Sequence, residues 1–289
     1  MSDTTPLRSD WGSLSGLSPD RVWNARVQAH YALQLPAALH VSRYTPRDDQ
    51  SHTAFVVDRG AFVSLGDPDV PWRAALRPET LEVELRGAAG DVAARLPLGG
   101  LDLEEAYGRF AAMLDHVAGP GAFARLNAEL PPHPVREGAP FEPDRPALHA
   151  LGALFGDASA LLDELRPTLA SPSAARLWPH HFDVAVLDDL GADAGPGPER
   201  RRSVGVGMTP GDEGTREPYL YVTPWPYPAA PRLPPLPDGT WTTDGWVGAL
   251  LLVRTLADDT PAGRTARARA FVDAAIRGSR RMLAVEGDS

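Results

Sequence analysis

Hydrophobic and polar positions alternate between two rhythms along this chain. Ser18-Pro19-Asp20 is a helix start, with a capping side chain, a proline at the first helical position and a carboxylate that complements the helix dipole. Val22, Ala25, Ala29 and Leu33 then keep a helical step, and Pro36 is expected to end the run. From Leu39 the period shifts toward two. Strands are predicted over 39–44, 53–58, 61–65, 80–86 and 92–97, with turns at Pro46, Gly60, Gly66-Asp67-Pro68 and Gly90-Asp91. Leu81 to Leu85 alternates strictly, as an antiparallel strand with one wet face would.

Asp102 and Glu105 form the ends of a capping box. Behind it Leu103, Tyr107, Phe110, Leu114 and Val117 make one apolar face, until Gly119-Pro120-Gly121 stops the helix. The proline-rich stretch 119–143, with a short helix expected at 123–130, is the best linker. A third helix starts near Asp144 and carries Leu148, Leu151, Phe155, Ala158, Leu162 and Leu165 up to Pro167. Strands follow over 175–187, 203–209, 217–224, 241–243 and 247–255, and Thr260-Pro261 opens a last helix with Phe271, Ala275 and Met282.

The predicted fold class is α+β: two antiparallel β-meanders with packed helices. Residues 18–118 and 144–284 share the order helix, strands, helix, which suggests a duplicated unit; an accidental likeness of two ordinary α+β runs is the other reading. Residues 1–17 are expected to be a flexible leader and 285–289 a tail.

Composition narrows the chemistry. The chain has no cysteine, so thiolate metal sites, disulfides and a cysteine nucleophile are excluded. All 28 basic residues are arginine, which removes Schiff-base lysine chemistry. A formal charge of −10 argues against a nucleic-acid partner, and Arg200-Arg201-Arg202 reads as a solvated loop edge. No apolar run approaches a membrane span and no signal segment stands at Met1–Trp11, so a soluble, cytoplasmic protein without a membrane partner is expected.

Three constellations carry candidate chemistry. In Trp178-Pro179-His180-His181-Phe182-Asp183, an extended backbone would put Trp178, His180 and Phe182 on one face and His181 with Asp183 on the other. His181 and Asp183 are then the catalytic candidates, as a histidine oriented by a carboxylate or as two metal ligands; the competing reading makes His180 a packing residue and Asp183 an acceptor for a nearby loop. The stretch Gly205 to Glu213 lacks the spacing of a nucleotide loop, so no nucleotide is expected, and its Pro-Gly-Asp-Glu segment reads as a hairpin turn. Tyr219, Tyr221, Thr223 and Trp225 then line one strand face, with Asp212, Glu213 and Glu217 nearby, as ligand contacts or as cross-strand packing. Trp241 and Trp246 flank a bend at Gly245, and with Trp178 and Trp225 they need partners for their indole N–H groups if buried.

The segments LWPHHFDVAV (177–186), GVGMTPGDE (205–213), EPYLYVTPWPYP (217–228) and WTTDGWVGALL (241–251) together resemble an uncharacterised bacterial family, a domain of unknown function. Thr242 and Asp244 stand here where the family pattern has His and Glu. The resemblance implies a recurring fold and names no reaction or cofactor. The function expected is that of a small-molecule-binding or interaction protein with a polar, aromatic pocket in the second half, with Trp178, His180, Asp212, Glu213, Glu217, Tyr219, Tyr221, Trp225, Trp241 and Trp246 as ligand contacts. The alternatives are a hydrolase or lyase using His181 and Asp183 as general base or metal ligands, and a purely structural interaction protein, with a homodimer the expected assembly, whose proline-rich loop 224–237 lies in a subunit interface.

Overall fold

The computed structural model describes residues 11–192, 201–229 and 232–286. These residues form an α+β fold that divides into two units, Gly16–Gly156 with Arg176–Asp183, and the described parts of Met1–Ser15, Asp157–Ala175 and Val184–Ser289.

The N-terminal unit holds α1 (Pro19–Arg43), β1 (Phe55–Asp58), β2 (Ala61–Ser64), β3 (Trp72–Arg77), β4 (Glu82–Gly87), β5 (Val92–Pro97), α2 (Leu103–Ala118) and the start of α3 (Arg145–Leu165). A short strand, β6 (Arg176–Trp178), returns to pair with β1, so the strand order is β6-β1-β2-β3-β4-β5 with antiparallel neighbours. One face of these strands supplies Phe55, Phe62, Ala74, Leu76, Val83 and Leu85, all fully buried, and α1 and α2 pack on the sheet. The caps are those the sequence predicts: the Ser18 side chain accepts from the Arg21 N–H, and Asp102 and Glu105 complete a capping box.

The N-terminal unit and the chain ends depart from the sequence pattern at several points. Pro36 does not end α1, which runs on to Arg43 through the segment expected as the strand 39–44. Nearly every side chain from Ala25 to His40 is buried, and that packing outweighs the hydrogen bond the proline removes. His40 therefore lies on a helix and not on a strand, and His52 sits in a short helical turn over Ser51–Thr53 just before β1. Residues 123–130 form no helix, whereas β3, not expected from the pattern, does form. The leader is not loose throughout: residues 1–10 lie outside the described residues, but Trp11 is buried and its N–H donates to Asp157 Oδ2 at 2.8 Å. At the other end the last helix, α4 (Pro261–Glu286), takes in the first two residues of the expected tail, and 287–289 lie outside the described residues.

The C-terminal unit contains the end of α3, β7 (Asp183–Ala192) from Val184 onward, β8 (Arg201–Thr209), β9 (Tyr219–Trp225), β10 (Thr240–Thr242), β11 (Gly248–Leu252) and α4 (Pro261–Glu286). Its strand order is β10-β11-β9-β8-β7, so β11 and not β10 lies beside β9. The expectation of two simple meanders fails at this point, and the repeat of element order between the two halves does not extend to strand pairing. α4 covers one face, where Val204, Val206, Met208, Leu220, Val222, Ala249 and Leu251 are buried with Phe271, Val272 and Ala275. Asp188, fully buried, accepts from the Ser171 N–H at 2.9 Å and from Arg280 Nη2 at 2.5 Å.

Candidate functional site

The histidine motif is not an extended strand. Pro179 to Phe182 form a tight turn after β6, closed by the Phe182 N–H donating to the Trp178 carbonyl at 2.7 Å, with Phe182 in the left-handed region at φ 57°. Alternation therefore does not apply, and the predicted division of faces between His180 and His181 is replaced by a division between inward and outward turn residues. Phe182 is buried and stacks on His30 of α1, ring centroids 4.9 Å apart and 7° from parallel. His30 Nε2 and Gln34 Nε2 each donate to the Pro179 carbonyl at 2.8 Å. With Nε2 carrying the proton, His30 Nδ1 is left to accept from Arg26 Nη1, 3.3 Å away. Burial, reinforced by the Arg26 guanidinium, pushes this imidazole down to about 3.

His181 is exposed on the turn and no hydrogen bond joins it to Asp183, which is buried. Its ring lies 4.3 Å from that of His180, and His180 lies 5.7 Å from the half-buried Trp178. Burial and then the His181 charge push His180 down to about 4. Among the described residues no group of three or more His, Asp or Glu side chains gathers where it could hold a metal ion.

Other predicted contacts are engaged elsewhere. Asp212 accepts from the N–H groups of Gly214 and Thr215 and from the Tyr219 hydroxyl, so it shapes the turn before β9. Glu213 is exposed, and Glu217 pairs with Arg254 at 2.5 Å. Trp241 Nε1 donates to the Pro234 carbonyl at 2.7 Å, and the half-buried Trp246 ring lies beside Gly248.

The face of β7, β8 and β9 away from α4 carries a cavity of about 390 Å³ lined by Leu187, Asp189, Arg201, Ser203, Thr223, Trp225 and Tyr227. Strand register explains its shape. Leu187, Gly205 and Thr223 form one cross-strand row, and Asp189, Ser203 and Trp225 the next. Gly205 has no side chain to fill the middle of its row, so the cavity opens between Leu187 and Thr223. The Thr223 hydroxyl donates to the Val247 carbonyl at 2.8 Å and its methyl faces Gly205. Trp225 and Tyr227 stand edge to face, 5.2 Å apart at 78°, and both are exposed, as is Leu187.

The polar end of the cavity is the Asp189–Arg201 ion pair together with Ser203. The Gly191 N–H and then Arg201 hold the Asp189 carboxyl below its usual range. Ser203 is buried, and its hydroxyl meets no hydrogen-bond partner among the described residues.

Of the residues the sequence suggested as ligand contacts, Thr223 and Trp225 line this cavity. Tyr221 is one row away, its ring lying over Gly207. Leu187, Asp189, Arg201, Ser203 and Tyr227 were not singled out as a site. The signal that could have found them is the pairing of two alternate glycines, 205 and 207, with the aromatic face of the next strand. The chain matches no protein-family description, no curated protein and no solved structure.

Proposed function

We propose that this chain is a small-molecule-binding protein whose site is the cavity on the open face of β7, β8 and β9. The observation that carries this reading is a concave, mostly apolar surface kept open by Gly205, flanked by an exposed aromatic pair and ending in the Ser203 hydroxyl, which meets no hydrogen-bond partner among the described residues. A ligand that fits is a flat aromatic or compact aliphatic body with one hydrogen-bonding group. The body packs on Trp225, Tyr227 and Leu187, and the polar group meets Ser203 beside Arg201.

The resemblance to an uncharacterised bacterial family belongs to the same proposal, because two of its marking segments, 205–213 and 217–228, contribute to β8, to β9 and to the turn between them. A soluble, cytoplasmic setting is part of it too; no helix among the described residues is long and apolar enough to cross a membrane.

Calorimetric titration of the full chain with 1-anilinonaphthalene-8-sulfonate, an aromatic anion of suitable size, is expected to show a single site with a dissociation constant in the micromolar range, roughly 8 kcal/mol of binding. Trp225→Ala should weaken it by about tenfold or more, as removal of an aromatic anchor does. Unchanged affinity in a folded Trp225→Ala variant would place the site elsewhere and sink the assignment.

A further inference from the structure

A second group of side chains, belonging to the N-terminal unit alone, is built around Glu84. On the sheet face opposite Ala74, Leu76, Val83 and Leu85, strand register sets Ala75, Glu84 and Arg95 in one row, Arg77 and Glu82 in the next, and Arg73 directly across from Arg86. The Glu84 side chain is fully buried. Arg77 Nε donates to its Oε1 at 2.6 Å, while Arg86 holds Oε2 through Nε at 2.8 Å and Nη2 at 2.5 Å. Arg95 Nε lies 3.5 Å from the same Oε1 and 3.3 Å from Glu82 Oε1.

This face carries more cation than its two carboxylates neutralise. Four arginines share the face with Glu82 and Glu84, in a chain whose formal charge is −10. Like charges in cross-strand register, as at Arg73 and Arg86, destabilise a sheet unless an opposite charge lies between or above them. Among the described residues Arg77 hydrogen-bonds Glu84 through Nε, and Arg95 Nε faces Glu84 and Glu82, with no hydrogen bond from the Nη atoms of either. Their Nη edges, the fork that receives an oxyanion in bidentate fashion, remain unused, on side chains 42% and 56% exposed. Glu84 thus holds the Arg77 guanidinium by a hydrogen bond and draws that of Arg95 to the same oxygen, which reduces the ordering cost of binding.

We propose that the Nη edges of Arg77 and Arg95 form a binding site for a phosphate-class oxyanion, with Glu84 as the positioning residue beneath them. Glu82, next to Arg95, limits the affinity and favours a compact dianion that stays on the guanidinium side. The site uses none of the cavity residues of the C-terminal unit, so its failure would leave the proposed function untouched.

The test titrates the full chain with inorganic phosphate, replacing sodium chloride at constant ionic strength, and follows binding by calorimetry. A dissociation constant in the millimolar range is expected, about 4 kcal/mol of binding. The Arg77→Gln/Arg95→Gln variant should bind at least about tenfold more weakly, in keeping with charge-assisted hydrogen bonds to the anion. Should that variant fail to fold, Arg95→Gln alone, whose contacts to Glu82 and Glu84 are the longest in the group, should still weaken binding by about threefold or more. Phosphate that behaves as chloride does, or a folded variant that binds as the parent does, would overturn the proposal. A parallel titration with glycerol phosphate assigns the site to monoesters if the ester binds tighter, and to the free anion if it does not.

Discussion

Replacing His30 with alanine is expected to lower the unfolding free energy of the N-terminal unit by about 3 kcal/mol, the cost of a buried aromatic truncation together with a lost hydrogen bond. The side chain is 1% exposed and its ring lies flat on Phe182. Truncation opens a cavity there and leaves Gln34 as the remaining side-chain donor to the Pro179 carbonyl. His30→Phe keeps the stack and loses the bond, so it should cost only about 1 kcal/mol. Urea denaturation followed by circular dichroism measures both, and a change below about 0.5 kcal/mol for the alanine variant would show that the contact is dispensable.

Acid gives the same residue a second signature. His30 is held near 3 in the folded chain by burial and Arg26, whereas an unfolded histidine titrates near about 6.5. The unfolded state therefore binds the extra proton first. The stability that neutral His30 contributes is fully present above about pH 6.5 and is lost progressively as pH falls toward the folded value. His30→Ala should lose less stability than the parent between pH 6.5 and pH 4, a difference in which the other titrating groups cancel.

Gly207→Val should destabilise the C-terminal unit by about 3 kcal/mol, the upper part of the range for overpacking a well-packed position. A Cβ at Gly207 would lie 2.6 Å from the Tyr221 hydroxyl oxygen and 2.7 Å from the Val184 carbonyl oxygen. The backbone of β7 has no freedom to give way while its ladder with β8 is intact. The two alternate glycines of β8 thus have different duties: Gly207 seats an aromatic ring, and Gly205 keeps the cavity open. Thermal melts should show Gly207→Val falling well below Gly205→Ala, and equal melting points would contradict this division.

Helices α2, α3 and α4 were readable from periodicity and caps because each has one apolar face and a strong start or stop signal, such as the capping box of Asp102 and Glu105. α1 was readable only at its start. Its second half is buried on nearly all sides, so no polar stripe marks it as a helix, and His40 and Pro36 point away from the true assignment. The histidine motif misled for a related reason. A stretch in which aromatic and histidine side chains surround a single proline fits a strand by composition, and only the contacts from His30 and Gln34, far earlier in the chain, reveal the turn. The period-two face of β9 was visible in Tyr219, Tyr221, Thr223 and Trp225. Its neighbours Leu187, Asp189 and Ser203 were not, because register between separate strands is a tertiary property that alternation within one strand does not specify.

The most direct test of the binding site is the affinity of Gly205→Leu for 1-anilinonaphthalene-8-sulfonate. The new Cβ lies 3.1 Å from the Thr223 methyl, a contact a side chain can relieve, and the rest of the leucine enters the space between Leu187 and Thr223. The account predicts a folded variant whose binding is weakened by about tenfold or more, since the ligand's place is taken. A folded Gly205→Leu that binds as tightly as the parent would contradict it.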